Sequence, residues 1–174
     1  MKTKRILLFA PLVLLLAFMG CKKIDQLLTF NVDVTQSVVI PGYLVGAQLP
    51  PVKVTTKSED SFRNNKTTRD KVKNVLLDRL TLTVTNPAGT NFNFLDRIEL
   101  YISTTPNNKI LLAKLYTVPR GVTTITLEPT TAKLDEYLKS DTYDLTAVAT
   151  VNGFNPDDFT VRSDATFKVT ADPL

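Results

Sequence analysis

Phe159-Thr160-Val161-Arg162-Ser163-Asp164-Ala165-Thr166-Phe167-Lys168-Val169-Thr170 is the stretch that decides the fold. Phe159, Val161, Ala165, Phe167 and Val169 share one parity. Thr160, Arg162, Asp164, Thr166, Lys168 and Thr170 take the other. Successive side chains of a strand point to opposite faces, so this is a strand with one dry face and one wet face. Such a strand belongs in an antiparallel sheet, because parallel strands are covered on both faces.

The same period recurs upstream. Tyr143, Leu145, Ala147, Ala149 and Val151 form one apolar row. Phe30, Val32, Val34, Val38 and Ile40 form another, opposed by Thr29, Asn31, Asp33, Thr35 and Ser37, until Pro41-Gly42 stops the strand. Leu80, Leu82 and Val84 alternate with threonines, whereas Val75 and Leu77 lie on the opposite parity. That switch predicts a bulge at Asp78-Arg79. Asn86-Pro87-Ala88-Gly89 is a turn, after which Ile98, Leu100 and Ile102 alternate again. Pro106-Asn107-Asn108 leads into Ile110–Tyr116, which is apolar on both faces for part of its length and is therefore placed centrally. Val118-Pro119-Arg120-Gly121 leads into a strand at Thr123–Leu127. Val52 and Val54 follow Pro50-Pro51, which assigns them to an edge, since proline cannot donate to a ladder.

Two helical stretches interrupt the strands. Thr131–Lys139 puts Leu134, Tyr137 and Leu138 on one face, with Thr130 or Thr131 as N-cap. Ser58 is placed as the cap of a shorter turn through Glu59–Phe62. The expectation is all-β: a single antiparallel β-sandwich of about eight strands with one or two short helices, spanning 27–174.

The N-terminus reads differently. Lys2, Lys4 and Arg5 precede an apolar run from Ile6 to Met19, and Gly20 precedes Cys21, the only cysteine. The run is short for a bilayer, since fourteen helical residues cover about 21 Å of a core roughly 30 Å thick. It is read as a cleaved signal peptide over 1–20, with Cys21 as lipid attachment site and 21–26 as tether. Leu16-Ala17-Phe18-Met19-Gly20-Cys21 resembles a lipobox, the processing site of bacterial lipoproteins; Phe18 stands where Leu is usual. The resemblance implies diacylglycerol on Cys21, and several acyl chains make a stable membrane anchor. Lys22 rather than Asp follows the cysteine, which points to the outer membrane; the face, periplasmic or surface, stays open. Leu80-Thr81-Leu82-Thr83-Val84-Thr85-Asn86-Pro87 resembles a strand of late-embryogenesis-abundant β-sandwich domains, and immunoglobulin-like sandwiches fit the same strand order. The whole chain, with its Lys168–Leu174 tail, is similar to uncharacterised Bacteroidota-type lipoproteins. That likeness implies location and fold, not activity.

Three of the 21 Lys+Arg lie in residues 1–20, which leaves 18 against 17 Asp+Glu, a net charge of +1 for 21–174. With no basic cluster interleaved with aromatics, nucleic acid is not expected as a partner. The chain has no histidine, which removes the usual base near neutral pH and the commonest metal ligand. No phosphate-binding glycine loop occurs. Neither cofactor nor metal is expected. The adjacent carboxylates Glu59-Asp60, Asp135-Glu136 and Asp157-Asp158 leave a carboxylate enzyme as a distant reading. Asn155, Asp157 and Asp158 supply oxygen ligands in Asn152–Asp158, so that loop is either a plain strand connection or a calcium site. Tyr101 is either a sugar-stacking ring or a cross-strand packing residue; there is no Trp to build a glycan platform.

Tyr43, Leu44, Val45 and Leu49 lie in an apolar stretch without strand alternation, bracketed by proline and glycine. They either plug one end of the sandwich or form a partner-binding loop. The sequence therefore predicts a membrane-anchored, non-enzymatic structural or protein-interaction module of the cell envelope. A glycan-binding lipoprotein is the alternative.

Overall fold

Eight strands follow one another among the described residues, which are 27–42, 49–153 and 157–174 of the computed structural model. They are β1 (Leu28–Ile40), β2 (Val52–Thr55), β3 (Val72–Asn86), β4 (Leu95–Ser103), β5 (Ile110–Leu115), β6 (Thr124–Pro129), β7 (Thr142–Val151) and β8 (Phe159–Ala171). Two short helices, α1 (Ser58–Asn64) and α2 (Asp135–Lys139), and a 3-10 turn at Arg69–Lys71 complete the fold. Every strand pairing is antiparallel, in the order β1-β8-β3-β6-β5-β4-β7-β2. The expected all-β sandwich is what the chain builds, as a nearly closed, barrel-like sheet.

β6 makes the fold-over. Its Ile125 and Leu127 pair with Leu82 and Leu80 of β3, while Glu128 and Pro129 pair with Lys114 and Ala113 of β5. One layer is therefore β1-β8-β3-β6 and the other is β5-β4-β7-β2. β1 and β2 are the two ends of the sheet, and the seam between them is its open side. Proline ahead of β2 fits that edge position, as its sequence implied.

The registers explain the alternation. β1 and β8 pair without interruption from Leu28↔Ala171 to Ile40↔Phe159, so Val32 stands opposite Phe167 and Val34 opposite Ala165 on the inner face. The β3–β8 ladder shifts between Leu77 and Arg79, where the change of parity predicts a bulge. The shift lets Val75, Leu77, Leu80 and Leu82 all turn inward, and all four are buried. β5 lies between β4 and β6, in agreement with its two-sided apolar character. Tyr143 of β7 meets Phe167 of β8 edge-on across the layers, with ring centroids 6.4 Å apart.

The two poles of the sandwich differ. At the pole where β1 begins, α1 and α2 close the core. Phe62 is fully buried and meets Phe30 at 6.3 Å. Tyr137 and Leu138 are buried as the helical spacing predicts. The predicted caps are corrected. Ser58 is the first residue of α1, not its cap, and its hydroxyl donates to the Leu138 carbonyl at 2.6 Å. α2 starts only at Asp135, because Thr130 donates its hydroxyl to the Leu111 carbonyl and the Leu134 N–H donates to Val75. Those bonds to neighbouring strands hold residues 130–134 out of the helix. Among the described residues, no helix lies over the other pole, where β1 ends.

Candidate functional site

At that second pole, the inner face is incompletely filled. Val38 and Ile40 of β1, Leu145, Ala149 and Val151 of β7, and Leu49 and Phe94 all sit on the core side but are only half-buried. They surround a cavity of about 630 Å³ between the layers, which reaches the seam between β1 and Leu49–Val52. Protein interiors are packed like organic crystals, with few voids larger than a water molecule. A space this size falls instead within the ~300–1,000 Å³ range of ligand sites.

The walls follow from strand parity. Even-numbered residues of β1 and odd-numbered residues of β7 and β8 face inward, so Val38, Ile40, Leu145, Ala147, Ala149, Val151, Phe159 and Val161 converge on the cavity. Among the described residues, no charged side chain lines it. The polar side chains in the lining are Gln36 and Ser163, which are register partners on β1 and β8. The Gln36 amide donates to the Ser37 carbonyl at 3.0 Å, which keeps this group at the β1 edge.

One end of the lining is aromatic. Phe94 lies between Phe92 and Phe159, with centroid distances of 6.3 and 5.0 Å. The segment Phe92–Asp96 is held by backbone bonds from Phe92 N–H to Val122 O, from Asn152 N–H to Phe94 O and from Val118 N–H to Asp96 O, each 2.9–3.0 Å. Asp96 is the hub of this frame. Its Oδ1 accepts from the Arg120 guanidinium at 2.7 Å and from the Asn152 side-chain amide. The β5–β6 and β7–β8 connections are thereby tied to the turn that carries the phenylalanines. Sequence reasoning did not single out Phe92, Phe94, Asp96 or Arg120. The available signal was Phe92-Asn93-Phe94, two large apolar residues at strand spacing inside a turn.

Of the predicted loop residues, Leu49 lines the cavity and its N–H donates to the Ala147 carbonyl at 2.9 Å. Tyr43, Leu44 and Val45 lie outside the described residues, as do Cys21 and Asn155. Asp158 Oδ1 accepts from the Gly42 N–H at 3.0 Å, so this candidate calcium ligand holds the end of β1 to the start of β8. Among the described residues, no three acidic, histidine or cysteine residues gather as a metal group would require.

The carboxylate pairs are engaged elsewhere. Glu59 and Asp60 pair with Arg69 and Arg63. Glu136 accepts from the Asn108 amide at 2.9 Å. On the outer face, Tyr101 donates to Glu99 at 2.9 Å and has the Lys109 ammonium 5.0 Å from its ring centre. Tyr116, which is half-exposed, has Lys114 and Arg97 at 4.7 and 5.3 Å. These rings are packed under cations of their own sheet, as the cross-strand reading of Tyr101 has it.

No helix among the described residues is long and apolar enough to cross a membrane. No protein-family model matches the chain, and no curated protein matches it in sequence. Solved structures with some likeness include turnip yellow mosaic virus, at 10% identity over 86% of this chain and 96% of the other, with a TM-score of 0.30. Desmodium yellow mottle tymovirus follows at 9% identity over 84% of each chain, with a TM-score of 0.27.

Proposed function

We propose that this protein is a lipid-anchored β-sandwich of the bacterial cell envelope that works by binding rather than by catalysis. Cys21 carries the lipid, and the outer membrane is the destination. The observation that carries the binding part is the cavity at the open seam. It offers a large apolar surface to a ligand and, among the described residues, no ionisable side chain to act on one. The anchor rests on the sequence of residues 1–21.

The two parts fit together geometrically. β1 begins at Leu28, seven residues after Cys21, and runs away from the tether. Twelve steps of a strand put Ile40 about 40 Å from Leu28. The cavity therefore lies at the pole opposite the tether, facing the envelope space rather than the bilayer that holds the lipid.

Metabolic labelling with a tagged fatty acid tests the anchor. The full chain should incorporate the label and partition into detergent, and Cys21→Ser should do neither. Label retained at full level in Cys21→Ser would end the lipoprotein reading. A panel of glycosides, esters and peptides tests the non-enzymatic reading, with no turnover above buffer expected. Sustained hydrolysis abolished by Asp-to-Asn changes would overturn it.

A further inference from the structure

We infer that the cavity holds a single acyl chain, so that the protein is a carrier or sensor of an acyl lipid. This rests on the reading of the protein as a binding module and names what is bound.

Volume comes first. A dry apolar cavity of about 150 Å³ accepts one benzene, so about 630 Å³ has room for a hydrocarbon of roughly twenty carbons. The shape of the walls is consistent with a chain: the lining extends along β1 from Gln36 to Gly42 and along β7 from Leu145 to Val151, ending on Phe92 and Phe94.

Chemistry comes second. A sugar or nucleotide carries many hydroxyl or phosphate groups, and each buried polar group without a partner costs about 1–3 kcal/mol. Among the described residues, the lining supplies Gln36 and Ser163 as polar side chains, side by side on β1 and β8, and no charge. That set suits a ligand that is apolar along its length and polar at one end. The ester or carboxyl end of an acyl chain would sit at Gln36 and Ser163, where Gln36 stands at the sheet edge and remains open to water. An ionised head can stay hydrated there while the chain is buried.

Energetics come third. Inner-face residues of a sandwich are ordinarily covered by the facing layer. Here Val38, Ile40, Leu145, Ala149 and Val151 face the interior and are only partly covered. Covering them is favourable at about 25 cal/mol per Å² of apolar surface, and a hydrocarbon does so without needing hydrogen-bond partners from the walls.

The test uses the full chain in the cells that make it. A fatty acid bearing a photoactivatable diazirine in mid-chain and a clickable terminus is fed, the cells are irradiated, and adducts on the purified protein are mapped by peptide mass spectrometry. Adducts are expected on peptides covering 36–42, 145–153 and 159–163. They should fall at least tenfold in Ala149→Phe and in Val38→Phe, which put a large side chain into the cavity from opposite layers. Two variants guard against one failing to fold, and each is checked by circular dichroism before comparison. Adduct mass separates a free fatty acid from a membrane lipid. Adducts missing from those peptides, or unchanged in both filled variants, overturn the inference. A polypeptide segment occupying the cavity would exclude the probe and give that negative result. Acyl label on the N-terminal peptide reports the anchor separately, so loss of one signal is distinguished from loss of the other.

Discussion

The Gly42 N–H donates to Asp158 Oδ1 at 3.0 Å, joining the end of β1 to the residue just before β8. A carboxylate that the sequence offers only as a candidate calcium ligand, in a loop otherwise read as a plain strand connection, thus satisfies a backbone donor at the rim of the cavity. Asp158→Ala should cost about 1.5 kcal/mol, the low end for a hydrogen bond to a charged group, because the Asp158 side of this part-buried bond is exposed. Asp158→Asn retains an acceptor oxygen and should cost less. Neither calcium nor EDTA should move the thermal midpoint of the wild-type protein. A drop on adding EDTA would restore the metal reading of Asn155, Asp157 and Asp158.

Alkaline pH provides a second expectation. Burial, followed by the nearby Glu136 carboxylate, pushes the Tyr137 hydroxyl up to about 12. Burial alone pushes Tyr143 up further. Both phenols are therefore held neutral in the folded state and ionise more easily once unfolded. Their contribution is complete below the ordinary tyrosine value of about 10 and is lost as pH rises through 12. Chemical denaturation should show stability falling between those limits. Tyr137→Phe should flatten that slope; an unchanged slope would assign the loss to other groups.

The strands were legible because a two-residue period survives in nearly every one of them. Even the bulge at Leu77–Arg79 was visible, since a bulge must reverse parity. The helix caps were not, because Ser58 and Thr130 bond to carbonyls 80 and 19 residues away instead of to their own helix. Local pattern cannot report such partners. The cavity was hidden for a related reason. Val38, Leu145 and Val151 look like any inner-face residues, and only the three-dimensional gap opposite them shows that they are half-covered. Asp96 and Arg120 are likewise ordinary charges in sequence, brought together by the turns that frame Phe94.

Acid should act through the outer face of β1 and β8. Burial pushes the Asp164 carboxyl up, but hydrogen bonds from Arg162 at 2.8 Å and Thr35 at 2.9 Å outweigh it and hold the group below the ordinary carboxylate range. A lowered folded-state value stabilises above the unfolded value of about 3.9 and is lost as pH falls through it. Thermal midpoints should therefore decline below pH ~4, with Asp164→Asn declining less. An identical acid profile in Asp164→Asn would show that the pair with Arg162 contributes nothing measurable, as exposed ion pairs often do.

Packing should differ sharply between the two poles, and paired truncations measure it. Phe62, on the buried face of α1, is 0% exposed and packs edge-on against Phe30, so Phe62→Ala leaves a cavity in a close-packed region and should cost about 3–5 kcal/mol. Leu49 is half-buried on the wall of a space that is already open, so Leu49→Ala removes few close contacts and should cost about 1 kcal/mol or less. Denaturant midpoints for both variants, at unchanged m-value, give the comparison directly. The contrast also bears on what occupies the seam. A cost for Leu49→Ala in the ~2–5 kcal/mol range of buried leucines would mean that this pole is packed as tightly as the other, with the protein's own residues filling the space. A small cost, rising when the protein is loaded with an acyl lipid, would mean that Leu49 gains its contacts from the ligand.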